Sequence, residues 1–189
     1  MFYMAEKKFS NELETWLKAS GKKTLGSLEQ VFGKRSFAII VIILMAIPAL
    51  PIPTGGITHI FELIVMLIAL EMIIWRQTIW LPRKILKKEL GPAIAGKFVP
   101  YLLRRIRWFE KYSRPRFYKL LNDPNFGRLA GLLFLVLALG AFLAPPFSVL
   151  DTLPALGAVM LALSLIFGDV ILFILGIVLG SFGFGVWQR

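Results

Sequence analysis

Five ionisable side chains stand in or beside long apolar runs of this chain: His59, Glu62, Glu71, Asp151 and Asp169. A charged group in an apolar bilayer core costs about 3 kcal/mol unless it is paired or hydrated, so each of the five is a functional candidate. On a helix, Thr58, His59 and Glu62 fall within three or four positions of one another and form one polar cluster. That cluster reads either as a structural hydrogen-bond pair or as a site that handles a proton or ligand. Glu62 and Glu71 are nine positions apart, about half a turn out of phase at roughly 100° per residue, so they do not share a face of a straight helix. Simpler roles exist for the others. Glu71 lies one turn before Trp75-Arg76 and is expected to face cytoplasmic headgroups. Asp151 either caps a helix beginning near Thr152 or faces the periplasm. Asp169 follows Gly168 and is placed to cap the last helix.

Prolines supply a second kind of chemistry. Pro48, Pro51 and Pro53 interrupt one apolar run, and Pro145 and Pro146 interrupt another. Each lacks an amide hydrogen and frees a helix carbonyl. Freed carbonyls can coordinate a cation, and the helix N-termini that follow can hold an anion, although a plain turn explains the same residues. Together with Thr54 and the acidic groups, these prolines mark out an expected cavity. A third set, Arg104, Arg105, Arg107, Arg114 and Arg116 with Lys111, is suited to lipid phosphate or a phosphorylated metabolite, with general attraction to anionic headgroups as the alternative. Cysteine is absent and His59 is the only histidine, which leaves no thiol nucleophile and no His/Cys metal site. No P-loop, dinucleotide fingerprint or nucleophile motif occurs. The expectation is no catalytic residue, no metal and no cofactor.

The elements that carry these residues are helical and mostly apolar. Of the 189 residues, 57% are hydrophobic, too much for one soluble core of this size to bury. Residues 5–19 predict an amphipathic helix: Phe9, Leu13, Trp16 and Leu17 recur at helical spacing opposite Lys7, Lys8, Glu12 and Lys18. After a turn at SGKK, Ser27-Leu28-Glu29-Gln30 resembles a capping box for a second short helix. Apolar blocks follow at 36–47 and 57–75, then a basic, aromatic section over 76–128, then blocks at 129–143 and 155–187. The last is interrupted at Gly168-Asp169 and reads either as a half-length helix plus a full span or as one long bent helix. The first block, 12 residues, is about 18 Å long as a helix against a hydrocarbon core of about 30 Å. Its hairpin therefore either crosses through the Pro-rich break or re-enters. The expected organisation is cytoplasmic amphipathic helices over 1–35, a first membrane hairpin over 36–75, a basic interfacial segment over 76–128, and a second hairpin with a C-terminal transmembrane helix over 129–189.

The two halves align as a repeat. An offset of 94 positions places Phe32-Gly33-Lys34 on Phe126-Gly127-Arg128, Pro51 on Pro145, Thr58 on Thr152, and Val65-Met66-Leu67 on Val159-Met160-Leu161. The fold class expected is thus an all-α integral membrane protein of two tandem repeats, each an interfacial amphipathic helix plus a Pro-broken hairpin. The formal charge of +11 does not point to nucleic acid. Seven of the 22 Lys and Arg lie in residues 1–35, fourteen in 76–128, and only Arg189 elsewhere. They flank the apolar blocks and never interrupt them, which by the positive-inside pattern puts both basic sections and the N-terminus on the cytoplasmic face of the membrane. The N-terminus has no apolar signal-peptide region. Expected partners are a bilayer with anionic lipids, a second copy in a homodimer, and polysaccharide-export components.

That last expectation comes from a resemblance. TLGSLEQVFGKRSF (24–37), ALPIPTG (49–55), WLPRKI (80–85), RPR (114–116), RLAGL (128–132), PPF (145–147), LPALG (153–157) and LALSLIFGDV (161–170) together resemble the ExoD family of bacterial exopolysaccharide-synthesis proteins. The resemblance marks Pro51, Pro53, Arg114, Arg116, Pro145, Pro146, Pro154 and Asp169, and implies an inner-membrane role in envelope polysaccharide production without a defined reaction. The chain departs from the family pattern in having Gly168-Asp169 where an Arg-Asp pair is usual, and Val149-Leu150-Asp151 where an Asn is usual. On these grounds the expected function is a small transporter whose cavity is lined by the two breaks. A non-catalytic partner of a synthase or export complex is the alternative, and an enzyme acting on lipid-linked sugar phosphates fits less well.

Overall fold

The computed structural model describes residues 9–50, 57–74, 82–92, 94–113, 123–144 and 149–187. Among them the chain is helical and contains no strand. The first helix, α1 (Phe9–Lys18), buries Phe9, Leu13 and Trp16, the stripe its sequence spacing predicts. Lys23 folds back on its end: Nζ donates to the carbonyls of Trp16 and Ala19 at 2.7 and 2.6 Å, satisfying acceptors that the helix leaves open. A second helix, α2 (Leu25–Phe32), is held by a capping box one turn earlier than the sequence suggests. Thr24, in extended conformation, is the N-cap; its Oγ1 accepts from the Ser27 amide at 3.0 Å, and Ser27 Oγ accepts from the Thr24 amide at 3.1 Å. Serine replaces the usual Glu or Gln at the third position, and Ser27-Gln30 lies inside the helix.

A 3₁₀ turn, Gly33–Arg35, leads into α3 (Ser36–Met45). Gly33 has φ +54, a conformation open to glycine. Every residue of α3 is buried, as befits a helix apolar on all sides. Helical hydrogen bonding runs on to Ala49, so the block ends close to its expected boundary. Next, α4 (Ile57–Ile73) returns antiparallel to a later partner and carries His59, Glu62 and Glu71. The basic section contains α5 (Arg83–Leu86), then a π-helical turn Ile94–Phe98 that widens directly into α6 (Val99–Tyr112). Pro100 cannot donate to the preceding turn, a local reason for that widened stretch.

The second half opens with α7 (Pro124–Leu143), capped by Asp123, whose side chain accepts from the Asn125 amide at 2.9 Å. It starts five residues before the apolar block proper: Pro at the first helical position needs no amide partner and presets the helix. Residues 149–167 form α8 (Val149–Phe167), so Asp151, Thr152 and Pro154 lie in its first turns instead of in the second break. After Gly168 (φ +66) comes α9 (Val170–Trp187). The last apolar block is therefore divided between two helices and is not one bent helix. It is the C-terminal part of α8 followed by α9, helices of about 28 and 27 Å at 1.5 Å per residue.

The helices α3, α4, α7 and α8 form a ring, with α3 touching α4 and α8, α4 touching α7, and α7 touching α8; α9 packs chiefly on α8. Where α4 meets α7, a β-carbon on Gly131 would lie 2.9 Å from the Ala69 carbonyl and from Met72 Cβ. The α8–α9 hairpin is built on small residues: Gly157 faces Gly176 and Gly180, and Gly183 faces Pro154, the close approach expected of a Gly-xxx-Gly stripe. The amphipathic α1, α2 and α6 gather at the end of the ring where α4 and α8 finish. Among the described residues one helix, Pro124–Leu143, is long and apolar enough to cross a membrane; Ser36–Met45, Asp151–Phe167 and Val170–Gly183 are shorter apolar stretches.

Candidate functional site

The residues with chemical potential divide between the two ends of the ring. At the end where α4 and α8 begin, His59 Nδ1 lies 2.8 Å from Glu62 Oε2. The two sit one helical turn apart on α4, as the i, i+3 spacing predicts. Glu62 is 1% exposed, while the His59 side chain is 34% exposed. Phe142, near the end of α7, meets the imidazole edge-on with ring centroids 5.2 Å apart. Asp151, in the first turn of α8, is near enough to act electrostatically on the Glu62 carboxylate, and its Oδ1 accepts from the Thr152 hydroxyl at 3.1 Å. Asp151 thus sits in the helix; it is not the N-cap. Thr58, buried beside this pair, completes the polar group. Below Glu62 the inward face of α4 turns apolar: Val65, Ile68 and Ala69 have no exposed surface.

Asp169 does not join this cluster. It lies past the far end of α8, 5% exposed. Its Oδ1 accepts from the Ile171 amide at 2.9 Å, capping α9, and its Oδ2 accepts from the Ser113 hydroxyl at 3.0 Å, tying the end of α6 to the α8–α9 corner. Glu71 is 8% exposed and points into the protein, a correction to its expected outward place at the headgroups; it and Glu62 are both buried although they lie on different faces of α4.

The arginines also separate. Arg107 pairs with Glu14 of α1 and so fastens two helices. Arg104 and Arg105 are exposed on α6, where Arg105 lies over the Tyr101 ring at 5.4 Å and Lys111 over Tyr112 at 5.8 Å. Trp108, 57% exposed, stands between them. This is an aromatic and basic face of the kind that sits at a membrane surface. Pro51, Pro53, Thr54, Arg114, Arg116, Pro145 and Pro146 lie outside the described residues. The α1–α6 contact was not legible in the sequence: Ser10 is 1% exposed and its Oγ donates to Glu110 Oε2 at 2.6 Å across 100 positions of chain.

An all-helical chain with Pro-flanked apolar hairpins and a basic helical layer is the class that these elements define. Residues 9–187 match the family described as exopolysaccharide synthesis, ExoD, and the chain belongs to that family. It is 28% identical over 152 residues to Protein ExoD of Rhizobium meliloti, a stretch that covers 77% of this chain and 61% of that protein. It is also 28% identical over 157 residues to an uncharacterised protein of Synechocystis, covering 79% of this chain and 71% of that one. No solved structure matches it.

Proposed function

We propose that this chain is a multi-pass protein of the bacterial inner membrane that serves exopolysaccharide synthesis as a small transporter, with its path at the end of the ring where the two breaks and the His59–Glu62–Asp151 cluster lie. The observation that carries the reading is its inverted polarity. Rows of large apolar side chains face outward along three helices: Ile60, Leu63, Leu67 and Leu70 on α4, with Ile74 just past its end; Leu129, Leu132, Val136, Leu139 and Leu143 on α7; and Ile171, Ile174, Val178 and Phe182 on α9. Glu62, Thr58, Glu71, Ser164 and Asp169 are buried instead. Soluble monomers rarely expose more than a few hundred Å² of continuous apolar surface, whereas lipid is the solvent such rows require.

The tandem repeat belongs to the same reading. Pairing α3 with α7 and α4 with α8 turns the α3–α8 contact into the α7–α4 contact, so the ring maps onto itself. The lysines and arginines cluster at the α1, α2 and α6 end, which the positive-inside pattern assigns to the cytoplasm; the breaks then face the periplasmic side. A homodimer would seal a cavity that so few short helices line.

Reconstitution tests the transport reading. Proteoliposomes carrying the protein are expected to pass small ions or envelope precursors faster than empty liposomes, and Glu62→Gln is expected to lower that flux about tenfold or more. Asp169→Asn, at the opposite end, is expected to leave it intact. Flux equal to empty liposomes across candidate ions and precursors overturns the proposal.

A partner role is favoured by a different observation, an open groove between α1 and α2 lined by Glu12, Trp16, Val31, Phe32 and Arg35. As a scaffold, the protein would present this groove to a synthase or export component. Copurification of such a complex in mild detergent, lost when Val31 is changed to Glu, is the outcome that reading requires.

A further inference from the structure

We propose that His59 and Glu62 form a single proton-binding unit loaded through the partly exposed imidazole, so that the ion coupled to transport is H⁺. The coupling clause rests on the transport reading of the same site; the proton unit itself does not.

The geometry supplies the first argument. A 2.8 Å separation between His59 Nδ1 and Glu62 Oε2 holds one proton between nitrogen and oxygen. Access supplies the second. Glu62 is 1% exposed and is followed along α4 by Val65, Ile68 and Ala69, which have no exposed surface, whereas the imidazole side of the pair is partly exposed. A proton arriving from that side adds to His59 Nε2; the Nδ1–H bond then breaks as an Oε2–H bond forms, leaving a neutral imidazole and a neutral carboxylic acid. Reversal of the same two transfers returns the proton.

Charge balance supplies the third. The chain has no Lys or Arg between residues 36 and 75 or between 129 and 188. Of the helices around the site, α3 offers only apolar side chains after Ser36, α7 has no ionisable group beyond Arg128, α8 contributes Asp151 alone, and α9 has none. The Asp151 carboxylate therefore acts on the Glu62–His59 pair, and among the described residues the helices around the pair bring no Lys or Arg from 36–75 or 129–187 to offset it. Such a group lowers its charge by taking up protons. Among the described residues no three His, Asp or Glu side chains converge as metal ligands.

Because His59 is the only histidine, NMR of isotope-labelled histidine in lipid nanodiscs, with any affinity tag removed, reads this site alone. The imidazole nitrogens are expected to titrate, and Glu62→Gln is expected to move the midpoint by at least about one pH unit, tenfold in proton affinity. Asp151→Asn shifts it in the same direction by less. The wild-type protein gives a readout independent of any variant: the infrared band of a protonated carboxyl appears with the same midpoint as the imidazole change. An imidazole that titrates identically with and without Glu62, or that does not titrate between about pH 4 and about pH 10, overturns the inference. If titration is coupled but proteoliposomes carry nothing, the transport reading falls and the proton unit stands. If flux persists with uncoupled titration, the inference falls and the transport reading stands.

Discussion

Gly157 on α8 and Gly180 on α9 meet backbone to backbone: a β-carbon on Gly157 would lie 2.8 Å from both the nitrogen and the α-carbon of Gly180. Neither backbone can give way without parting the helices. Gly157→Ala is expected to destabilise the protein by about 1–3 kcal/mol, read as a fall in the thermal midpoint in detergent. Gly180→Ala collides first with the end of the Leu137 side chain, which can change rotamer, so its midpoint falls less. Equal falls would show that the hairpin is not set by this contact.

The outward apolar rows make a prediction about solvent. Spin labels at Leu67, Val136 and Val178 in nanodiscs are expected to relax with dissolved oxygen, which concentrates in lipid, and to resist an aqueous nickel chelate. A label at Arg104 is expected to behave the other way. Chelate access along the rows would mean that the helices are not embedded.

Acid is expected to loosen α1. Glu14 receives a hydrogen bond from Lys18 and sits beside Arg107, and these hold its carboxyl below the ordinary carboxylate range. Its folded value is thus below its unfolded one, so the stabilisation is complete above the ordinary range and disappears as pH falls through the depressed value. Lys22 has the opposite sign: its hydrogen bond to Glu89 raises it, and that contribution is lost as pH rises past the ordinary lysine range. Hydrogen exchange of the α1 amides, corrected for intrinsic rates, should rise on acidification, and Glu14→Gln should flatten the change. Both contacts are solvent-exposed, so salt should shrink the effect.

Asp169 is expected to matter for stability and not for flux. Replacing it with Ala removes the acceptor for the Ile171 amide, a loss of about 0.5–2 kcal/mol for an N-cap, together with the Ser113 contact. Asp169→Asn keeps an oxygen acceptor and should melt close to wild type. A transport defect in the Asn variant with normal stability would place a functional role at the wrong end of the ring for the mechanism proposed here.

Much of the helix plan was legible because it rests on local rules. Phe9, Leu13 and Trp16 declare the buried face of α1 by spacing alone, the apolar run from Phe37 to Met45 announces a helix buried all round, and the His59–Glu62 pair follows from one turn of α4. Boundaries set by caps were less legible. Ser27 looked like a cap and serves as the third residue of a box led by Thr24, while Asp151 looked like a cap and lies inside α8 because the helix starts at Val149. Relations between distant segments had no local signature: nothing near Arg107 says that it meets Glu14, and nothing near Asp169 says that it meets Ser113. On α6 itself, Arg107 meets Glu14 while Arg105 lies over Tyr101, partners that sequence adjacency does not announce.

The hydrogen bond from Ser10 to Glu110 carries a consequence for how the protein is made. When α1 leaves the ribosome, the helix that will cover it has yet to be translated. Its apolar stripe must wait through the synthesis of α3 and α4, resting on whatever oily surface lies nearby. Docking onto α6 then becomes a late event, possible only once the chain has grown past its midpoint, so a truncated product would betray itself by an N-terminal helix left without its cover.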